Sequence, residues 1–238
     1  MSDAKDTPRG FASPPCLAHE IDPAYADTVS ADPQQVLEVA RWRKAERARL
    51  LGERTALTLA ARKGAAAAIL PHLDALLAQR FSRLDGLTVS AWWPIRAELD
   101  LRDWLAGLAA RGTRAALPVG VTTRHAPLEF REWTPQTPMT RGFWNIPVPA
   151  AGPALIPDIV LAPLVGWDGA GYRLGYGYRL GHGGGYFDRT LAGLAPRPLA
   201  IGIGFEAARL ATIFPQPHDI AMQAIITETG VAALDPAR

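Results

Sequence analysis

Between residues 163 and 189 the chain reads PLVGWDGAGYRLGYGYRLGHGGGYFDR, and the residue types able to do chemistry concentrate there. Gly169, Gly171, Gly175, Gly177, Gly181, Gly183, Gly184 and Gly185 allow positive φ and a close backbone approach. Successive N–H groups of such a loop can converge on an anion. Arg173, Arg179 and Arg189 add forked, permanently charged donors matched to phosphate oxygens. Asp188 beside them is a candidate Mg²⁺ ligand, since Mg²⁺ at phosphate sites takes one or two carboxylates and fills its other positions with phosphate and water. An apolar run over residues 156–165 leads in as a buried strand. Phe187, Leu191 and Leu194 share one face of a helix that leads out and stops at Pro196. A strand, a glycine loop and a helix start together suit polyphosphate, with the helix N-terminus supplying donors and partial positive charge. A glycine-rich stretch is as often an ordinary surface loop, and neither G-x-x-x-x-G-K-S/T nor G-x-G-x-x-G is spelled here. The residues alone give an anion-binding loop.

Other residues are candidates by position. Glu98 follows the apolar residues 87–95, and a carboxylate just past a strand's C-terminal end lies where open α/β sheets place ligands. A helix-capping or solvated glutamate would look the same. Trp144, in GFWNIPVP, can stack on a flat ring or simply pack. Gly202-Ile203-Gly204-Phe205-Glu206-Ala207 fits the dinucleotide pattern, but its glycines lie inside an apolar run rather than after it, so it reads as a decoy. Cys16 and His19 would need a second pair to hold a metal, and read as part of an arm lying on the body.

The string RLGHGGGYFDRTLAGL resembles the signature of the 5-formyltetrahydrofolate cyclo-ligase (5,10-methenyltetrahydrofolate synthetase) family. In that family an aromatic–Asp pair, here Trp167-Asp168, leads to R-L-G-x-G-x-G-Y-Y/F-D-R. Glu98-Leu99-Asp100 resembles the family's E-x-D/E, and Pro217-His218-Asp219 precedes a short strand ending in Thr227-Glu228, as in other members. The resemblance spans residues 40 to 230 or so and implies a three-layer α/β/α fold with a mainly parallel sheet. It also implies an ATP- and Mg²⁺-dependent conversion of 5-formyltetrahydrofolate to 5,10-methenyltetrahydrofolate, with release of ADP and phosphate. The formyl oxygen would attack the γ-phosphate, and N10 would then attack the activated carbon as phosphate leaves. No protein nucleophile is required, in keeping with the lack of a Ser-His-Asp or Cys-His pattern. By residue, the resemblance implies that Leu180, Gly181, His182, Gly183, Gly184, Gly185, Tyr186 and Phe187 cradle ATP. Arg179 and Arg189 would stabilise the phosphoryl group in flight, and Arg43 would reach the phosphates from a basic helix. Asp188 and Asp219 would hold Mg²⁺, while Glu98, Trp144, Tyr186 and Phe187 would contact the folate.

The chain departs from the family in places. The lysine that accompanies the helix arginine falls on Val39, leaving Arg41, Lys44 or Arg47 to substitute. His182 and Gly184 stand where some members carry Arg and Lys. Residues 172–177 and 178–183 are tandem copies of a unit that members have once. Spacing to the helix N-terminus favours the second copy, hence Arg179 over Arg173, because an upstream loop absorbs extra residues at small entropic cost. Two other readings stand beside the ligase: a regulator on the same fold that binds nucleotide or folate without turnover, and a sugar-phosphate isomerase working without ATP.

These residues need a scaffold, and the apolar segments supply one. Asp32-Pro33 suits a helix start, and a basic helical stretch runs on to residue 80 with breaks expected at Gly64 and Pro71. Strands are expected over 87–95, 114–121, 128–133, 158–165, 198–205 and 223–227, with helices at 101–110 and after the glycine loop. This alternation gives an α/β sheet with helices on both faces. Residues 1–33 read as an irregular extension and 34–238 as one domain. Hydrophobic content of 48% with 20% charged residues fits a folded chain, and a net charge of +2 over 238 residues does not suggest a nucleic-acid partner. A single cysteine, no apolar run of membrane-spanning length and no apolar leader point to the cytoplasm. Nothing suggests an obligate protein partner.

Overall fold

The computed structural model describes residues 33–120, 126–175 and 185–234. Helix α1 (Pro33–Ala56) opens on proline, whose missing N–H costs nothing at the first helical position. Helix α2 (Leu59–Arg80) starts where the Thr58 hydroxyl accepts the Ala61 N–H at 3.1 Å. The break therefore falls at residues 57–58 and not at Gly64 or Pro71. Pro71 lies within α2, and its penalty of about 3 kcal/mol is outweighed because Ile69, Leu73, Leu76 and Leu77 are buried along one stripe.

The remaining elements follow as β1 (Thr88–Ser90), α3 (Arg102–Ala109), β2 (Arg114–Val119), β3 (Glu129–Glu132), β4 (Met139–Arg141), β5 (Pro147–Pro149) and β6 (Ala154–Leu155). Then come β7 (Ile159–Pro163), β8 (Gly166–Asp168), β9 (Arg173–Leu174), α4 (Tyr186–Gly193), β10 (Leu199–Ile203), β11 (Arg209–Leu210), β12 (Ala224–Thr227) and β13 (Gly230–Leu234). The main sheet runs β13-β12-β10-β7-β1-β2-β3-β6, parallel from β12 to β2 and antiparallel at both edges. Strand β1 is shorter than the expected 87–95, because residues 91–98 leave the sheet at its C-terminal edge.

Alternation along the parallel strands divides the core. Val89, Ala115, Leu117, Ile159, Leu161, Ile201, Ile203, Ala224 and Ile226 pack with α2 and α3 on one face. Ala116, Val160, Ala162, Ala200 and Ile225 pack with Leu50 of α1, Leu191 of α4 and the small sheet β11-β8-β9 on the other. The expected three-layer α/β/α arrangement with a mainly parallel sheet is the one the chain adopts.

The dinucleotide-like glycines serve this packing. A Cβ on Gly204 would come within 2.9 Å of Leu164 Cβ, and one on Gly202 within 3.0 Å of Leu164 Cδ2 and 3.2 Å of Ile225 Cγ1. Gly204→Ala should lower unfolding stability by about 1–3 kcal/mol, read by urea titration, because a close-packed core resists one added methyl. Unaltered stability would return Gly204 to the list of possible ligand glycines.

Candidate functional site

Beyond the C-terminal ends of β1, β2 and β7 a cleft of about 400 Å³ opens, closed by α1, by the 3₁₀ turn Phe143–Asn145 and by the start of α4. Open parallel sheets place ligands at this edge.

Helix α1 supplies one wall through a single stripe. Arg43, Arg47 and Arg54 fall within about 40° of one another on a helical wheel, and buried Leu50 lies within about 60° of each. Arg43 is locked from several sides: Nε donates to Ile213 O at 2.8 Å, Nη2 to Phe214 O at 2.7 Å, and the same nitrogen pairs with Asp219 Oδ2 at 2.5 Å. Asp219 also accepts the Gln216 N–H at 2.7 Å. Arg47 Nε donates to Gly175 O at 2.7 Å, which ties the helix to the first repeat copy. Burial, then the nearby Arg43 charge, lowers the Arg47 pKa, and Asp219 offsets part of this. A cation held under such conditions gains from a nearby anion. Arg49, on the opposite side, is exposed and paired with Glu46 and Glu53 at 2.6 and 2.8 Å, so that part of the basic run is a solvated face.

A second Arg–Asp pair stands at the start of α4. Arg173 Nη2 lies 3.0 Å from Asp188 Oδ1, which also accepts the Ile220 N–H at 3.1 Å. The Arg173 side chain is only 4% exposed, yet its Nε and Nη2 make no well-aligned hydrogen bond within the described residues. Buried donors in that state suit an anionic ligand. The guanidinium also sits 5.4 Å from the Phe187 ring centroid, as that of Arg189 sits 5.0 Å from Tyr186.

The opposite end of the cleft is aromatic and apolar around one carboxyl. Glu98 is 6% exposed; Oε2 accepts the Ile95 N–H at 2.9 Å and the Glu98 N–H returns to Ile95 O at 3.0 Å. Burial pushes its pKa up to about 7, with the Ile95 hydrogen bond and the Arg54 charge opposing. Trp92, Trp93 and Ile95 flank it, and Trp144 faces Tyr186 edge-on at 4.7 Å. Trp144 and Asn145 hold φ of 57° and 61°, left-handed backbone that a non-glycine residue keeps only where its surroundings impose it.

Of the residues singled out from sequence, Arg43, Glu98, Trp144, Gly185, Tyr186, Phe187, Asp188, Arg189 and Asp219 all line this cleft. Arg179, Leu180, Gly181, His182, Gly183 and Gly184 lie outside the described residues, as do Cys16 and His19. Arg173, given a minor role beside Arg179, occupies the cleft itself. Arg47 was one of three basic residues open as a substitute for the missing lysine; its spacing of four from Arg43 singles it out. Trp92 and Trp93 were not selected, and only their place between strand end and Glu98 could have marked them. Asp168 of the aromatic–Asp pair is structural: Oδ1 accepts the N–H groups of Ala170 and Tyr172 and Oδ2 that of Ile213. No helix among the described residues is long and apolar enough to cross a membrane.

Residues 39–228 match the family model described as the 5-formyltetrahydrofolate cyclo-ligase family. A 5-formyltetrahydrofolate cyclo-ligase of Mycolicibacterium smegmatis is 30% identical over 200 residues, covering 79% of this chain and 95% of that protein. One from Escherichia coli is 27% identical over 150 residues, 60% of this chain and 79% of its own. Among solved structures, the Aquifex aeolicus 5,10-methenyltetrahydrofolate synthetase superposes with a TM-score of 0.65 at 22% identity, covering 82% of this chain and 94% of that one. The Mycoplasma pneumoniae 5,10-methenyltetrahydrofolate synthetase gives 0.60 at 23% identity, with 78% and 98% covered.

The buried carboxyl leaves a signature in stability. Its folded pKa of about 7 exceeds the ordinary 4.5, so between those values the folded state binds the extra proton. Stability contributed by this group is present at pH 4.5 and lost as pH rises to 7, by up to about 3 kcal/mol. Denaturant titrations should therefore show Glu98→Gln gaining on the parent protein across that window and running level above it. Parallel curves for the two proteins would contradict the burial assigned to Glu98.

Proposed function

The chain belongs to the 5-formyltetrahydrofolate cyclo-ligase family, and from that premise we propose that its cleft joins ATP to 5-formyltetrahydrofolate at opposite ends. The observation that carries the reading is the polarity of the cleft: two Arg–Asp pairs and a helix start at one end, and a buried carboxyl among aromatic rings at the other.

At the folate end, Glu98 in its ionised form accepts from the amino and N–H edge of the pterin, while Trp144, Tyr186 and Phe187 pack on flat rings. A donor edge stabilises the carboxylate and draws the Glu98 pKa down from about 7, so folate binding releases a proton near neutrality. At the nucleotide end, Arg43, Arg47, Arg173, Arg179 and Arg189 neutralise phosphate charge, and the loop amides from Leu180 to Gly185 supply donors. The repeat makes both Arg173 and Arg179 relevant: Arg173 through its contact with Asp188, Arg179 through its spacing to α4. The formyl oxygen then attacks the γ-phosphate and displaces ADP, N10 attacks the activated carbon, and phosphate departs as the ring closes and N10 gives up its proton.

Asp188 and Asp219 fit Mg²⁺ in a particular sense. Each already faces an arginine, and no group of three His, Cys, Asp or Glu side chains among the described residues could hold a metal. Two carboxylates lining one cleft would hold a cation that arrives with the nucleotide and takes its other ligands from phosphate and water, once phosphate draws the arginines off them. Bound there, Mg²⁺ supplies charge neutralisation at the transferring phosphoryl group. The single cysteine accords with a cytoplasmic enzyme.

Binding measured separately for each ligand tests the division. Glu98→Gln should weaken 5-formyltetrahydrofolate roughly tenfold to a hundredfold while leaving Mg-ATP nearly untouched, because a buried polar mismatch costs about 1–3 kcal/mol. Equal losses for both ligands would contradict it. Asp188→Asn should raise the Mg²⁺ concentration needed for nucleotide binding, and Arg173→Ala should weaken ATP at least about tenfold by leaving Asp188 unpaired. Parent-like Mg²⁺ dependence in the first variant would remove Asp188 from the metal site. Parent-like ATP affinity in the second would leave the phosphate role to Arg179.

A further inference from the structure

Arg54 lies in the last turn of α1, is 6% exposed, and stands outside the lining of the cleft. Its fork joins two segments that bear on the site. Nε donates to Arg96 O at 3.2 Å and Nη1 donates to Leu164 O, just past the end of β7, at 3.1 Å. The first of these carbonyls belongs to an unusual turn. Arg96 and Ala97 are consecutive non-glycine residues with φ of 47° and 60°, and they bring Glu98 back onto the Ile95 N–H. Two adjacent left-handed residues with side chains persist only if the surroundings fix them. Arg54 ties this turn to the segment just past β7, and its charge also favours the ionised form of Glu98.

We propose that Arg54 is a positioning residue for substrate recognition: it clamps the left-handed turn at residues 96–97 to the end of β7 and so aims the Glu98 carboxyl into the folate end of the cleft. The proposal rests on the folate reading of Glu98. It adds a determinant that touches neither ligand and lies on the same helix that carries the nucleotide-facing arginines.

The test uses the full chain and calorimetric titration of 5-formyltetrahydrofolate and, separately, of a non-hydrolysable Mg-ATP analogue. Four variants are compared with the parent: Glu98→Gln, Arg54→Gln, Arg54→Lys and the double Arg54→Gln/Glu98→Gln. Arg54→Gln should lose folate affinity about tenfold with nucleotide affinity within about twofold, and the double variant should bind folate as Glu98→Gln does, because residues acting as a unit are non-additive. Arg54→Lys keeps the buried charge but its single ammonium lacks the planar fork for both carbonyls, so a smaller selective folate loss is expected. Unchanged folate affinity in Arg54→Gln or Arg54→Lys, equal losses for both ligands, or additive losses in the double variant would overturn the proposal. If neither Arg54 variant folds, the residue is a core support and the proposal fails as well. Normal folate binding by Glu98→Gln would instead overturn the folate reading on which it stands.

Discussion

The site depends on one stripe of α1. Arg43, Arg47 and Arg54 project from the same face and fasten three otherwise separate pieces of chain to the helix. These are the 213–219 segment, the first repeat copy at Gly175, and the turn before Glu98. All three pieces lie outside the main sheet. Hydrogen bonds from a charged donor to a buried carbonyl contribute about 1.5–3 kcal/mol each, twice a neutral pair or so, which is enough to order such segments against their entropy. Leu50, between the arginines on the same face, anchors the helix by packing beside the small sheet. The stripe thus mixes adhesion and charge, and the charge comes to rest where phosphate is expected.

That arrangement concentrates electrostatic cost in the cleft. Arg47 is partly desolvated beside another arginine, and Glu98 is buried deeply enough to hold a proton near neutral pH. Asp188 and Asp219 occupy arginines that would otherwise face anions. Each of these tensions is relieved by a ligand of the right sign: phosphate for the arginines, a cation for the aspartates, a donor edge for Glu98. Backbone strain at residues 96–97 and 144–145 sits at the aromatic end of the cleft, beside Glu98 and Tyr186.

Much of this was legible in the chain, and the reasons for the rest are physical. The apolar alternation that splits Ile159, Leu161 from Val160, Ala162 marks the sheet, and the glycine-rich stretch carries Gly175 and Gly185, both of which line the cleft. The helix break was misplaced because propensity penalises Gly64 and Pro71, whereas the buried stripe of α2 overrides propensity. Arg54 was invisible because its partners are carbonyls 42 and 110 residues away, which no local pattern records. Arg47 was legible in principle, since a spacing of four from Arg43 places both on one face; reading the basic run as a single cluster hid that periodicity. The duplicated unit shows the limit of spacing arguments. Counting back from α4 singles out Arg179, but the ion pair to Asp188 belongs to Arg173, because strand β9 brings it under the start of α4.

The central claim is that one cleft couples nucleotide cleavage to folate ring closure. Near-ultraviolet absorbance of the purified chain mixed with 5-formyltetrahydrofolate, Mg²⁺ and ATP measures it directly, with ADP assayed in parallel. Methenyltetrahydrofolate absorbance should rise only when ATP is present, and ADP should appear in step with it, one for one. ADP release without methenyl product, or methenyl formation without ATP, would contradict the account.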